Sequence, residues 1–202
     1  MKILVLYYSA TGNVFKLAQG VIEGIAEVEG VRGFLRRVPE TLPPEKIAAN
    51  PAMKAAAEAQ KDVSIATLQD LENCDGLVLG TPALFGNMCA QMKAFIDSTG
   101  GLWTRHALVG KPAGFFCATN TLHGGQETSL LASYLPFLHH GMIIVGVPYS
   151  VAGLSEADRG GSPYGASAVV GTRAGEPPTK QDMTIARELG KRVARVTLKL
   201  AE

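Results

Sequence analysis

Four short apolar runs constrain this chain more than any other feature: Ile3–Tyr8, Leu77–Leu79, Ala113–Cys117 and Met142–Val147. They are rich in Val, Ile, Leu and aromatic residues, and they are continuous rather than alternating. Successive side chains of a strand point to opposite faces, so a strand wetted on one side alternates and a strand covered on both does not. The runs therefore predict strands of a parallel sheet flanked by helices. A weaker strand is expected second in the chain at Gly33–Val38, where the Arg36-Arg37 pair suits an exposed edge.

Helical spacing fills the intervals. Val14, Leu17, Val21, Ile25 and Val28 recur three and four residues apart and make one apolar stripe. Ala90–Phe95 starts a shorter helix and Gln126–Leu138 a third. The last, from about Gln181 to Leu200, carries Ile185, Leu189, Val193, Val196 and Leu200 on one face, with Thr179 and Asp182 as its N-terminal cap region. Strands alternating with helices imply right-handed crossovers and an α/β, doubly wound sheet. Pro39–Asn73 is long for a connection and holds an Ala-rich, potentially helical run around Lys54–Gln60. Ser150–Thr179 is rich in Gly, Ser and Pro and has no period. Loops of that length are usually functional or disordered. With no repeat and no boundary, residues 1–202 read as a single domain.

In open parallel sheets, ligands bind beyond the carboxyl ends of the strands, near the point where strand order reverses. That rule selects three loops. The first, Ser9–Val14, comprises Ser9, Ala10, Thr11, Gly12, Asn13 and Val14 and feeds directly into a helix. Free N–H groups and the dipole at a helix start favour an anion. Ser9 and Thr11 add hydroxyls, and Gly12 allows close backbone approach. The alternative is that Ser9 and Asn13 merely cap the helix. Neither G-x-x-x-x-G-K-[ST] nor G-x-G-x-x-G occurs here, so the usual nucleotide and dinucleotide loops are excluded. The second loop includes Pro82, Ala83, Leu84, Phe85 and Gly86. Phe85 reads as buried, and the segment suits a planar ring with amide-like edges; the alternative is a plain turn with a core Phe. The third, Ala118, Thr119, Asn120, Thr121, Leu122, His123 and Gly124, is again rich in hydroxyls and glycine and opens a helix. The Gly-rich stretch after the last strand is expected to close the site from the side.

Other chemistries fail on spacing. A low-molecular-weight phosphatase needs Arg six residues after its Cys; here Gly80, Phe95 and His123 follow Cys74, Cys89 and Cys117 at that distance. A receiver domain needs acidic residues where Tyr8 and Ser9 stand. His139-His140 ends a helix, where imidazoles complement the dipole, and without partners the pair makes a poor metal site. Trp103 lies in G-G-L-W-T-R-H, a segment with no helical or strand period, and reads as core or as a stacking residue. The charge balance of 19 basic against 18 acidic residues excludes a broad footprint for nucleic acid or anionic membrane. No segment approaches the ~20 apolar residues of a membrane span, and the opening apolar run is too short for a signal peptide. Three scattered cysteines without a C-x-x-C pair suggest reduced thiols in a cytoplasmic protein.

Taken together, L-Y-Y-S at residues 6–9, R-V-P-E-T-x-P at 37–43, G-T-P-x-x-F-G-N-M at 80–88, D-S-T-G-G-L-W at 97–103, G-G-Q-E at 124–127, H-H-G-M at 139–142, G-G-S-P-Y-G-A at 160–166 and I-A-R at 185–187 resemble the WrbA family. These are FMN-dependent NAD(P)H:quinone oxidoreductases, also called tryptophan-repressor-binding proteins. The resemblance covers essentially the whole chain. It implies a flavodoxin-like fold, a five-stranded parallel sheet with helices on both faces, one FMN per subunit, NADH or NADPH as co-substrate, and a homotetramer whose sites borrow residues from neighbouring chains. By the same resemblance, Ser9–Val14 holds the FMN phosphate, Ala83–Phe85 lines the ring, and Ala118–Gly124 binds its edge and ribityl chain. His139 matches a flavin-contacting histidine, the candidate catalytic residue. Trp103 matches a substrate-stacking tryptophan, and Thr11 stands beside the nicotinamide. The chain departs from the family at Thr11, where Tyr is frequent, and at Ala83-Leu84, where Thr-Arg is frequent. The rival readings are a flavodoxin-type one-electron carrier, which the near-zero net charge opposes, and a non-catalytic flavin-binding regulator, for which no basic face exists.

Overall fold

A computed structural model describes residues 1–171 and 176–201. In chain order the elements are β1 (Lys2–Tyr7), α1 (Asn13–Ala26), β2 (Arg32–Arg37), α2 (Pro44–Ala49), α3 (Pro51–Ala59), α4 (Leu68–Glu72), β3 (Gly76–Pro82), α5 (Ala90–Asp97), α6 (Gly100–Thr104), β4 (Pro112–Thr119), α7 (Gln126–His139), β5 (Ile143–Ile144), β6 (Ala166–Val169) and α8 (Lys180–Ala201). The strands form one parallel sheet in the order β2-β1-β3-β4-β5, with β6 also on β4.

The first three continuous apolar runs are covered on both faces, as their composition requires, whereas Ile143 of the fourth is exposed. Ile3, Val5 and Tyr7 of β1 face α1 and α8, while Leu4, Leu6 and Tyr8 face the layer of α5 and α7. Phe116 and Phe115 divide β4 between the same two layers. On the first face, α1 and α8 approach closely because Gly24 and Gly190 lie at their contact. A Cβ on Gly24 would overlap the Arg187 backbone, and one on Gly190 the Val21 backbone. At the start of α8, Thr179 N–H donates to Asp182 Oδ2 (2.8 Å) and Asp182 N–H to Thr179 Oγ1 (3.1 Å), a capping box where the cap was expected. Of the predicted stripe, Ile185, Leu189 and Val193 are fully buried, but Leu200 is exposed and Thr197 takes the inward position instead. Thr197 continues the i+4 row of Ile185, Leu189 and Val193, which the predicted step of three to Val196 leaves.

Two expectations need correction. The run Met142–Val147 pairs as a strand only at Ile143–Ile144, beside Pro112 and Ala113. By Val147 the backbone bonds to Pro163 rather than to β4 (3.0 Å). The chain leaves the sheet and returns as β6, within the stretch read as aperiodic, to pair with Phe116–Thr119. The fifth position of the sheet is thus filled by two separate pieces. Residues 172–175 of that Gly-rich stretch lie outside the described residues. The second correction is Trp103, which lies in a helical turn, α6, rather than in an aperiodic loop. The Ala-rich run belongs to α3, which starts earlier than expected. Pro51 occupies its first position, and the Asn50 side chain accepts from Ala52 and Met53 N–H at 3.0 and 3.2 Å.

Candidate active site

The first loop is shaped by one buried hydroxyl. Ser9 Oγ accepts from the N–H groups of Gly12 and Phe15, each at 3.1 Å. Gly12 is the N-cap of α1 with φ of 92°, a left-handed conformation that costs a residue with a Cβ. Ser9 therefore does cap the helix in part, whereas Asn13 is its first helical residue and buried. Among the described residues, no hydrogen bond occupies the N–H groups of Thr11, Asn13 or Val14. Three free donors at the positive end of a 14-residue helix form an anion cradle.

Residues that the sequence did not single out brace this loop. Gln60, buried just beyond α3, donates through Nε2 to Ser9 O (3.1 Å) and Ala56 O (2.8 Å). Ala52, Ala55, Ala56 and Ala59 of α3 face Thr11–Lys16 across a cleft of about 420 Å³. Tyr8 OH donates to Glu40 Oε2 (2.9 Å), and Glu40 Oε1 also accepts from the N–H groups of Thr41 (2.8 Å) and Leu42 (2.9 Å). Burial, then Glu40, raises the Tyr8 pKa, so the phenol stays protonated and the 39–42 segment is tied to the end of β1. The partners are 51 and 32 residues apart in sequence, too far for a local pattern to reveal.

The second loop is a two-residue reverse turn. Leu84 N–H and Asn87 N–H exchange hydrogen bonds with each other's carbonyls (2.9 and 3.0 Å), and Phe85 and Gly86 both have positive φ, 52° and 73°. The turn is pinned by Ala83 N–H to Ala118 O (2.8 Å) and by Cys89 N–H to Thr81 Oγ1 (3.1 Å). Phe85 is not buried, contrary to expectation; it is fully exposed at the tip, and Leu84 is half-exposed. A tip residue held at positive φ points away from the sheet, whatever its apolarity.

In the third loop, Ala118 and Thr119 are buried, and Thr119 O accepts from Val170 N–H (2.9 Å). Gly124 N–H bonds Thr121 O (3.0 Å) and Gln126 Nε2 bonds Leu122 O (2.6 Å), leaving Asn120, Thr121, Leu122 and His123 exposed. Gly125 and Thr128 at the start of α7 pack against Gly86, so the second and third loops adjoin. Beside them, Leu122, His123 and Gln126 face Ala157, Asp158 and Arg159 across a cleft of about 580 Å³. The Gly-rich extension thus does flank the third loop.

Trp103 and His139 are not brought to these loops within one chain. α7 starts beside Gly86 and runs away from it for 14 residues, about 21 Å, before reaching His139. Trp103 sits at that far end, its Nε1–H donating to His139 O at 3.0 Å, and both residues are exposed. Among the described residues, no group of three His, Cys, Asp or Glu side chains could hold a metal. Cys74, Cys89 and Cys117 are free and buried, and burial pushes Cys74 to about 11 and Cys117 to about 12, which keeps both as unreactive thiols.

The residues present fit FMN. Acceptor-free N–H groups meet a phosphate, and exposed apolar side chains on two adjoining loops (Leu84, Phe85, Leu122) offer flat contact for a ring. Comparison with known proteins points the same way. Full-length relatives named NAD(P)H dehydrogenase (quinone) are 48% identical in Solidesulfovibrio magneticus and 45% identical in Geobacter sulfurreducens, with 99% of each chain covered. Among solved structures, a flavodoxin, WrbA-like protein from Agrobacterium tumefaciens superposes with a TM-score of 0.66 at 21% identity, covering 98% of both chains. An archaeal flavodoxin gives 0.63 at 18% identity, covering 98% of this chain and 99% of the other, so the fold is flavodoxin-like. Among the described residues, no helix is long and apolar enough to cross a membrane. Residues 1–156 match the model of the NADPH-dependent FMN reductases, and the chain belongs to that family.

Proposed function

We propose that this protein is an FMN-dependent NAD(P)H:quinone oxidoreductase of the cytoplasm, working as a homotetramer with one FMN-binding domain per chain. The relatives' shared name supports the reaction. The observation that carries the cofactor assignment is the row of free N–H groups at Thr11, Asn13 and Val14 beneath α1. When bound, FMN accepts a hydride from NAD(P)H and passes it to a quinone.

The chain's own residues bind and orient. Ser9–Val14 holds the phosphate, with Ser9 and Gln60 fixing the loop before the ligand arrives. Pro82–Gly86 and Ala118–Gly124 hold the ring and its edge through backbone groups, and Leu84 and Phe85 exclude water from its face. Thr11, an exposed member of the phosphate loop, also borders the incoming nicotinamide.

His139 and Trp103 complete the site of a neighbouring copy. Support comes from the length of α7, which separates them from their own loops, and from an apolar stripe on its outer side. Leu131, Leu135 and Leu138, spaced by four and three, are 41%, 59% and 53% exposed, and Val109 and Ile143 are exposed near the same end. Exposed apolar surface of this kind marks an association face. Three buried, unpaired cysteines support a reducing compartment.

The test is spectroscopic and anaerobic. FMN-loaded protein is mixed with NADH or with NADPH and then with benzoquinone. Bleaching of the flavin band, followed by its return when quinone is added, is the expected result. If neither nicotinamide bleaches it, the reductase reading fails and the one-electron carrier takes its place.

A further inference from the structure

We infer that His140 is a positioning residue for Trp103 and His139, acting through a closed ring of hydrogen bonds at the end of the sheet remote from the phosphate loop. α7 ends at His139, and His140 follows it as the C-cap, its N–H bonded to Pro136 O at 3.1 Å. Unlike its neighbour, His140 turns inward and is buried. Its Nε2 lies 2.8 Å from Thr99 Oγ1. The Thr99 hydroxyl has one proton, which it donates to Ile96 O at 2.6 Å. Oγ1 is therefore the acceptor of the histidine bond, and His140 must carry its proton on Nε2.

Thr99 is also the N-cap of α6. Its carbonyl accepts from the N–H groups of Leu102 (2.8 Å) and Trp103 (3.1 Å), which sets the turn on which the indole stands. The indole Nε1–H then reaches across to His139 O, one of the carbonyls that a helix end leaves free. The ring closes through the peptide joining His139 to His140. Four links thus hold two exposed aromatic side chains from separate helices in one relative geometry. Among the described residues, the other hydrogen bond between α6 and the end of α7 is the solvent-exposed indole bond.

The ring requires a neutral imidazole. Nδ1 is buried without a partner, so a second proton there would make a buried N–H with no acceptor. Burial, then the adjacent His139, lowers the His140 pKa, which keeps the imidazole neutral. Phe137, at 6.4 Å between ring centroids, adds no titratable group to the contact.

The consequence for turnover rests on the reading that Trp103 and His139 meet substrate; the placement of the indole does not. Trp103 is the chain's one tryptophan, so its fluorescence reports on it alone. FMN-loaded wild type, His140→Phe, His140→Gln and Thr99→Val are compared by acrylamide quenching and by KM and kcat for benzoquinone. Phe keeps the ring shape and removes the donor, whereas Gln returns an amide donor near the place of Nε2. Losing one such bond is worth about 1 kcal/mol, so quenching about twofold stronger and KM raised about fivefold are expected in His140→Phe, with kcat nearly unchanged. Thr99→Val reproduces both changes, and His140→Gln reverses them. If His140→Phe does not fold, Thr99→Val carries the same comparison. Unaltered quenching in the donor and acceptor variants, or failure of Gln to rescue, overturns the positioning role. Stronger quenching with an unchanged KM upholds it and instead removes Trp103 from the substrate site.

Discussion

The two ends of the sheet are built by different chemistry. At the carboxyl end, the continuous segment Ser9–Val14 presents the free main-chain N–H groups of Thr11, Asn13 and Val14, and the Ser9 side chain holds the backbone in shape. At the opposite end, the side chains of Thr99 and His140 meet each other and the Trp103 indole meets the His139 carbonyl, so that side chains tie separate elements together. The first end is a contiguous motif whose function survives many side-chain changes. The second depends on individual atoms, and each of its members presents a distinct chance of failure. A backbone cradle suits an invariant group such as a phosphate; a side-chain cluster suits contacts that discriminate among substrates.

Four experiments bear on that contrast. Thr11→Asp sets a carboxylate against the phosphate, and like charges about 4 Å apart repel by several kcal/mol at the dielectric of a protein surface. FMN affinity should fall on the order of 100-fold or more, as read by flavin fluorescence titration, while Trp103 quenching does not change. Unchanged affinity would move the phosphate to another loop. Gly12→Ala imposes a Cβ at φ of 92°. The strain is about 1–2 kcal/mol, to be seen as a lower melting temperature and roughly tenfold weaker FMN binding. A variant as stable as wild type would mean that the loop relaxes without its left-handed turn.

Trp103→Phe tests the other end. FMN affinity should stay within about twofold and the KM for benzoquinone rise about threefold to tenfold, the span expected for an aromatic contact. Loss of FMN instead would join the two ends into one site within a chain. The smallest effect is in pH. Because the folded-state pKa of His140 is lowered, the unfolded chain takes up the proton first as pH falls. The contribution is fully present above the ordinary histidine value of about 6.5 and is lost as pH falls below it, towards the folded-state value. Thermal melts should therefore weaken more steeply below that pH in wild type than in His140→Gln, and parallel curves would sink the assignment.

The same contrast explains what the sequence discloses. Ile3–Tyr8, Ala113–Cys117 and the Val14–Val28 stripe are read directly, because burial on one or both faces imposes a local period. The proposed phosphate loop is local in the same way, because its parts are adjacent in sequence. Phe85 is misread because apolarity is taken as burial, and only the paired positive φ angles reveal it as a tip. β6 is missed because Ala166-Ser167-Ala168-Val169 is small, mixed and set among glycines, so it carries neither a run nor an alternation. Gln60, Glu40 and the Thr99–His140 bond, which joins residues 41 apart, are long-range pairings that no window of sequence contains.

The divided fifth strand has a consequence for how this chain can change. Pro112–Ala113 are held by one piece and Phe116–Thr119 by another, and residues 148–165 leave and rejoin the sheet between them. That excursion begins and ends at an outer edge, so lengthening it shifts no other strand in register. Each doubling of a loop costs only about 0.6 kcal/mol in closure entropy. The segment bordering the third loop is therefore the place where descendants of this chain can gain or lose residues cheaply, reshaping what enters the cleft while the sheet and the free N–H groups at the start of α1 stay the same.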